Sequence, residues 1–367
     1  MDGLRAVAFL TVIAAHLNLP RIDGGFYALD WFLVLSGYLI GVRLLTPSAP
    51  ARDVVVWHLR SRAVRILPEL LVMLALLTPI GAYLMVSRDW QDFALVAVST
   101  VGSFVNFTFA FAADTEGGLN HLWSLALEVQ FYLAAPVLML ALRRRPALLA
   151  ACLLTIAGLS AGLRAVTWDG KPYGATYVLP HTRADGFLFG CLLALLHVRR
   201  RSLPVVVARA LPAAATVSLS TLAFLVVKHL PPRFAYSYGF VLSGILATVI
   251  CACVLWRPDS VPSRMLSPRA GVWLSERTYG GYLWHYPVVI LLALTGLKRN
   301  AYWAYVAVTY GAAFALGHLS RRYVGLPVAA HVRDRQRSYG AATAEVVAGE
   351  AGALPAHTGP PGSSEAT

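Results

Sequence analysis

Long apolar blocks alternate with short polar breaks along nearly the whole chain. A helix needs about 20 mostly apolar residues to cross the hydrocarbon of a bilayer. Eleven stretches approach that length: 4–20, 26–46, 66–86, 93–113, 121–142, 147–168, 180–198, 205–227, 236–256, 279–297 and 302–320. Proline-rich breaks separate them, at Pro20, Pro146, Pro231-Pro232 and the stretch from Pro258 to Pro268 among others. No repeat of fixed period is visible, and the last thirty residues or so (338–367), rich in Ala, Gly, Pro, Ser and Thr, read as a disordered tail.

Composition removes the soluble alternatives. Of 367 residues, 57% are hydrophobic and 13% charged, about half the roughly 25% charge of a soluble domain. So few charges would not cover a globular surface in water, so the solvent must be mainly lipid, in a multi-pass protein of the cell membrane. The formal charge of +13 resembles a nucleic-acid signal until the arginines are located. They cluster at Arg52/Arg60/Arg62/Arg65, Arg143–Arg145, Arg199–Arg201, Arg257/Arg264/Arg269, and Arg321-Arg322 with Arg333, Arg335 and Arg337. Short basic loops lie on the cytoplasmic side, so the excess charge sets orientation and no nucleic-acid partner is expected.

From residue 143 onward each cluster lies two apolar stretches from the next, as that rule requires. Between 65 and 143 there are three stretches where an even number is needed, so one does not cross. Ser99, Thr100, Gly102, Ser103, Asn106 and Thr108 single out 93–113 as re-entrant or broken. The expected fold is an all-α polytopic bundle of ten spans with both termini cytoplasmic. The competing readings are that 93–113 spans and one arginine cluster faces out, and that residues 1–20 are a signal peptide, although no clear A-x-A site follows them.

Ionisable groups within spans are costly and often functional. Arg5 and His16 are eleven positions apart, so they share one helix face about 16 Å apart along the axis. Asp30 opens the second stretch, and Gly37-x-x-x-Gly41 permits a close helix contact. Arg62-x-x-Arg65 is either a topology signal or a phosphate-binding fork. Glu128 follows Trp123-Ser124 about two turns inside the outer boundary, where an unpaired carboxylate is untenable. Arg183-x-Asp185 reads as an internal ion pair or a site, and His285, within Trp284-His285-Tyr286-Pro287, as an inner-end group or a belt anchor. Cys251-x-Cys253 has no second pair at ligand spacing, so buried thiols rather than a metal site are expected.

Six segments in this order resemble the acyltransferase-3 family of integral membrane acyltransferases: Asp2-Gly-Leu-Arg5 with His16; Asp30-Trp-Phe-Leu-Val-Leu-Ser36-Gly37; Arg62-x-x-Arg65-Ile-Leu-Pro68; His121-Leu-Trp123-Ser124-Leu-Ala-Leu-Glu128; Arg183-Ala-Asp185-Gly; and Tyr279-Gly-Gly-Tyr-Leu-Trp-His285-Tyr-Pro287. The resemblance runs over residues 2–328, leaving 329–367 as a basic, then disordered tail. It implies transfer of an acyl group, most commonly acetyl, from cytoplasmic acyl-CoA to a hydroxyl of a carbohydrate, glycolipid or glycosylated natural product such as a macrolide. It further implies that His16 is the catalytic base with Arg5 and Glu128, that Arg62 and Arg65 hold the donor, and that Asp30, Ser36, Trp123, Ser124, Arg183, Asp185 and His285 are substrate-binding or structural. No permanently bound cofactor is implied. Relatives commonly carry a carboxylate near the end of the last span, where this chain reads Arg322-Tyr-Val-Gly325. Nor does an SGNH-type extracellular domain follow, so the membrane domain is expected to complete transfer alone. A secondary transporter is the alternative suggested by the spans and intramembrane charges, although no inverted repeat is visible. A passive helical scaffold leaves those charges unexplained.

Overall fold

The computed structural model describes residues 1–46, 50–112, 117–171, 173–200 and 202–332. The tail expected to be disordered, with Arg201, Arg333, Arg335 and Arg337, lies outside the described residues. The described residues are helical, with one isolated β-bridge between Met85 and Gly117. The principal helices are α1 (Asp2–His16), α2 (Ala28–Leu45), α3 (Ala51–Leu77), α4 (Trp90–Val101), α5 (Val105–Phe111), α6 (Trp123–Leu142), α7 (Pro146–Thr167), α8 (Ala184–Arg199), α9 (Val205–Val227), α10 (Phe240–Trp256), α11 (Thr278–Leu294) and α12 (Tyr302–Ser320).

Six helical stretches, those containing α2, α3, α6, α7, α9 and α10, are long and apolar enough to cross a membrane. Four other expected crossings fall short of that description. Helices α1, α8 and α11 have 15, 16 and 17 residues. Helix α12 has 19, diluted by Tyr302, Trp303, Tyr305, Tyr310 and His318. Three of these four carry polar residues of the motifs, because helices that face other helices need less apolarity than helices that face lipid. The described part of the stretch 93–113 is two short helices meeting at Gly102–Phe104. Side chains satisfy that break: Gln130 Nε2 donates to Ser103 C=O at 2.8 Å, and Asn106 Nδ2 donates to Val178 C=O at 3.3 Å. Non-helical backbone inside an apolar bundle requires such partners.

The bundle core is organised about the crossing of α2 and α8. A Cβ added at Gly37 would lie 2.0 Å from Phe187 O, and one at Gly190 would lie 2.1 Å from Val34 O. Backbone therefore meets backbone at both positions, which only glycine permits.

Interior prolines interrupt the hydrogen-bond ladders of several helices, and side chains capture the carbonyls they leave free. A proline lacks the N–H that would bond the carbonyl four residues earlier. Pro136 frees Tyr132 C=O, and His58 Nε2 lies 3.2 Å from it. Pro287 frees Leu283 C=O, and His121 Nε2 lies 3.1 Å from it. Pro212 frees Ala208 C=O, which accepts from Arg257 Nη1 at 2.9 Å. A buried carbonyl left alone would cost about 1–3 kcal/mol, so His58 and His121 satisfy two buried interruptions and Arg257 a half-buried one.

Candidate active site

Two adjoining cavities open at the end of the bundle where α1 and α3 begin and α12 ends. The outer one, about 680 Å³, is lined by six arginines (Arg5, Arg43, Arg60, Arg62, Arg65 and Arg321) and three acids. The acids are engaged already. Glu276 meets Arg321 at 3.1 Å, Asp2 meets Arg5 at 3.7 Å, and Glu69 Oε2 accepts from Ser320 Oγ at 2.7 Å. Arg43, Arg60, Arg62 and Arg65 have no carboxylate within ion-pair distance among the described residues. Arg62 is 7% exposed, its Cζ lies 4.8 Å from the centre of the Tyr132 ring, and its Nε has no partner among the described residues. Such a cavity suits a polyanion.

The inner cavity, about 100 Å³, shares Arg5, Arg62, Arg65 and Tyr279 with the outer one. Ligand sites usually occupy about 300–1,000 Å³, so the outer cavity alone has room for a large ligand and the inner one for its short tip. Ser36 donates to Glu128 Oε1 on its wall. At its far end Ser124 Oγ lies 2.6 Å from Tyr282 Oη, and Tyr282 in turn donates to His121 C=O.

Beyond Tyr282 stand three histidines. His285 Nδ1 lies 2.6 Å from Tyr282 C=O, and His285 Nε2 lies 3.1 Å from His16 Nδ1. A carbonyl only accepts, so His285 Nδ1 carries the proton. No carboxylate stands within ion-pair distance of either ring among the described residues, which leaves both neutral in an apolar bundle. His285 Nε2 is then the acceptor and His16 Nδ1 the donor, so His16 Nε2 is the ring nitrogen that carries no proton. His121 packs edge-on to His285 with ring centroids 5.1 Å apart.

Deeper in the bundle, fully buried charges pair off. Arg183 Nη2 donates to Asp30 Oδ1 at 2.9 Å, and Arg164 makes a bidentate pair with Asp185, both bonds 2.9 Å. Arg183 and Asp185 therefore do not pair with one another: two positions apart, each turns towards a different neighbour.

A family model described as an acyltransferase domain, acyltransferase-3, matches residues 1–319. The chain belongs to the acyltransferase-3 family. It is 31% identical over 350 residues to the peptidoglycan O-acetyltransferase OatA of Listeria monocytogenes, covering 89% of this chain and 55% of that protein. It is 28% identical over 319 residues to the O-acetyltransferase OatA of Staphylococcus aureus, covering 80% of this chain and 50% of that one. The chain thus spans about half the length of these relatives. No solved structure matches it.

Within this acyltransferase-3 chain the predicted residues fall into three places. Arg5, Ser36, Arg62, Arg65, Ser124 and Glu128 line the inner cavity. His16 does not line it; it sits half-buried against His285 and Tyr286, at the other end of α1 from Arg5. His285 is neither at an inner helix end nor a belt anchor, because it is fully buried near the middle of α11. Asp30, Arg183 and Asp185 belong to the buried pairs, while Trp123 is half-buried with its ring 4.8 Å from Tyr177.

Sequence reading missed Arg164, Glu69 and Tyr282. Arg164 sits near the end of an apolar stretch and reads as a boundary charge. Glu69 lies one residue past a recognised motif, yet its side chain accepts from Ser320 at the end of α12. A Cβ on Gly325 would come within 2.4 Å of Glu69 Oε1, and one on Gly280 within 2.8 Å of Oε2. The carboxylate of Glu69, carried by α3, thus fills the space that the missing Cβ atoms of Gly280 and Gly325 leave open.

Proposed function

We propose that this chain is a membrane O-acetyltransferase that moves an acetyl group from acetyl-CoA to a hydroxyl of a cell-envelope glycan of the peptidoglycan type. The observation that carries the reading is the arginine-lined outer cavity adjoining a small inner one that ends at Tyr282, the first member of the Tyr282–His285–His16 chain. The names of the relatives support the acetyl group and the acceptor.

In this reading the donor's phosphates lie among Arg43, Arg60, Arg62 and Arg65, and its thioester arm runs through the inner cavity. His16 Nε2 takes the proton of the acceptor hydroxyl as that oxygen attacks the thioester carbonyl. The tetrahedral intermediate collapses, the C–S bond breaks, and the CoA thiolate leaves and takes up a proton. His285 orients His16 through the 3.1 Å bond. Arg5 and Glu128 shape the passage between the cavities; Arg5 adds positive charge where negative charge develops. The bundle crosses ten times with both termini cytoplasmic and 93–113 not crossing. Residues 1–328 form the membrane domain, which holds no permanently bound cofactor. The arginines of the N-terminus, the end of α2, the start of α3 and the end of α12 gather at one cavity, an arrangement that accords with an even number of crossings.

The test is donor saturation in nanodiscs with radiolabelled acetyl-CoA. Arg62→Ala and Arg65→Ala should each raise the donor KM about 10- to 100-fold, as loss of a charge-assisted phosphate contact does. An unchanged KM in both removes the donor from this cavity.

A further inference from the structure

At the end of the bundle opposite the arginine cavity lies an aromatic cup of about 220 Å³. Its walls come from the turn after α1, the α7–α8 connection, and the α9–α10 connection with the first residue of α10. Helix α1, roughly 20 Å long, separates the two openings, since Arg5 at its start lines one and Phe26 and Tyr27 just past its end line the other. Six rings surround the cup: Phe26, Tyr27, Tyr173, Tyr177, Tyr236 and Phe240. Asp23, Lys228 and His229 stand at its mouth, with Asp23 3.7 Å from His229.

Two features mark the cup as built for a ligand. Tyr27 is 1% exposed, and its hydroxyl has no hydrogen-bond partner among the described residues. Gly239 leaves room for that hydroxyl, since a Cβ there would lie 2.3 Å from it. A buried hydroxyl without a partner is unfavourable unless a ligand completes it. The second feature is the floor. Arg183 lies 3.9 Å over the Phe240 ring and 5.3 Å from that of Tyr177, and Arg164 Nε donates to Tyr236 C=O at 3.2 Å. The buried pairs Arg183–Asp30 and Arg164–Asp185, which the donor cavity does not use, therefore fix the rings of the cup.

The chemistry of the cup selects among ligands. A nucleotide or other anion would need an excess of cations, and here an acid stands 3.7 Å from the histidine of the rim. An acyl chain would not need the buried hydroxyl or the charged mouth. A pyranose offers an apolar C–H face to the negative faces of aromatic rings, and hydroxyl edges to Tyr27 and the polar rim. We propose that this cup binds a sugar ring of the glycan acceptor, on the face of the protein opposite the donor. The inference rests on the acetyl-transfer reading for the word acceptor, but not for the binding itself.

The experiment is calorimetric titration of the nanodisc protein with a soluble β-1,4-linked N-acetylglucosamine tetramer, without donor. Tyr173 is 63% exposed, so Tyr173→Ala leaves the fold intact. It should weaken binding about tenfold, as loss of an aromatic contact of about 1.4 kcal/mol does. Tyr27→Phe, which removes the hydroxyl alone, should weaken it severalfold. In turnover assays both variants should raise the acceptor KM and leave the donor KM unchanged. No binding by the wild type, or equal binding by wild type and Tyr173→Ala, overturns the cup. Acetyl transfer that persists in that case leaves the proposed function standing, and sugar binding without any transfer has the opposite meaning.

Discussion

The pair Arg164–Asp185 gives the sharpest test of how buried charge holds this bundle. Arg164 is wholly buried and Asp185 1% exposed, and four hydrogen bonds fix the guanidinium: two to Asp185 and one each to Thr182 C=O and Tyr236 C=O. Asp185→Asn keeps the shape, removes the negative charge, and leaves a cation in an apolar interior. Breaking one side of a buried pair costs about 3–5 kcal/mol, a factor of roughly a hundred to a few thousand in the population of opened molecules. Cys191, 1% exposed on the same helix, reports the opening. When closing is faster than labelling, its alkylation rate follows the open population. Maleimide labelling of Cys191 in detergent, read by mass spectrometry, should therefore accelerate by about two to three orders of magnitude in Asp185→Asn. The double variant Arg164→Met/Asp185→Leu should return to within about tenfold of wild type, because two well-packed apolar groups replace a pair whose desolvation offsets much of its attraction. Wild-type labelling in the single variant, or no recovery in the double one, refutes the reasoning.

Two further outcomes follow from contacts elsewhere. Gly190→Ala drives a methyl into the backbone of α2, 2.1 Å from Val34 O, and should destabilise by about 1–3 kcal/mol; Gly158→Ala, with nothing within 4 Å, should not, and a thermal-stability comparison in one detergent separates them. His121→Ala removes the partner of the Leu283 carbonyl freed by Pro287; a loss of about 1–3 kcal/mol and a lower kcat with unchanged donor KM are expected, read by unfolding and by initial rates.

The helical class and the positions of the apolar blocks were legible because bilayer length and basic loops leave strong local signals. The break in 93–113 was legible from its polar residues, and Gln130 and Asn106 now account for it. Pairing was not legible. Arg183 and Asp185 are near neighbours in the chain, yet each finds its counter-charge on another helix, at Asp30 and Arg164. Periodicity places Arg5 and His16 on one face, and it does not reveal that they serve separate places. Glu69 escaped notice because an acid contributed by α3 to the end of α12 has no signature along the chain. The cup was hidden for the same reason: its rings come from three separate connections, each of which alone reads as an interfacial aromatic.

The most direct measurement is the fate of radiolabelled acetyl after one turnover by the purified chain in nanodiscs, with acetyl-CoA and a soluble peptidoglycan glycan. The wild type should place label on the glycan as an alkali-labile ester, and His16→Ala, which removes the lone pair at Nε2, should slow transfer about 10²- to 10⁴-fold with donor binding retained. Equal transfer by the His16→Ala protein, or label that never leaves acetyl-CoA in the wild type, contradicts the account.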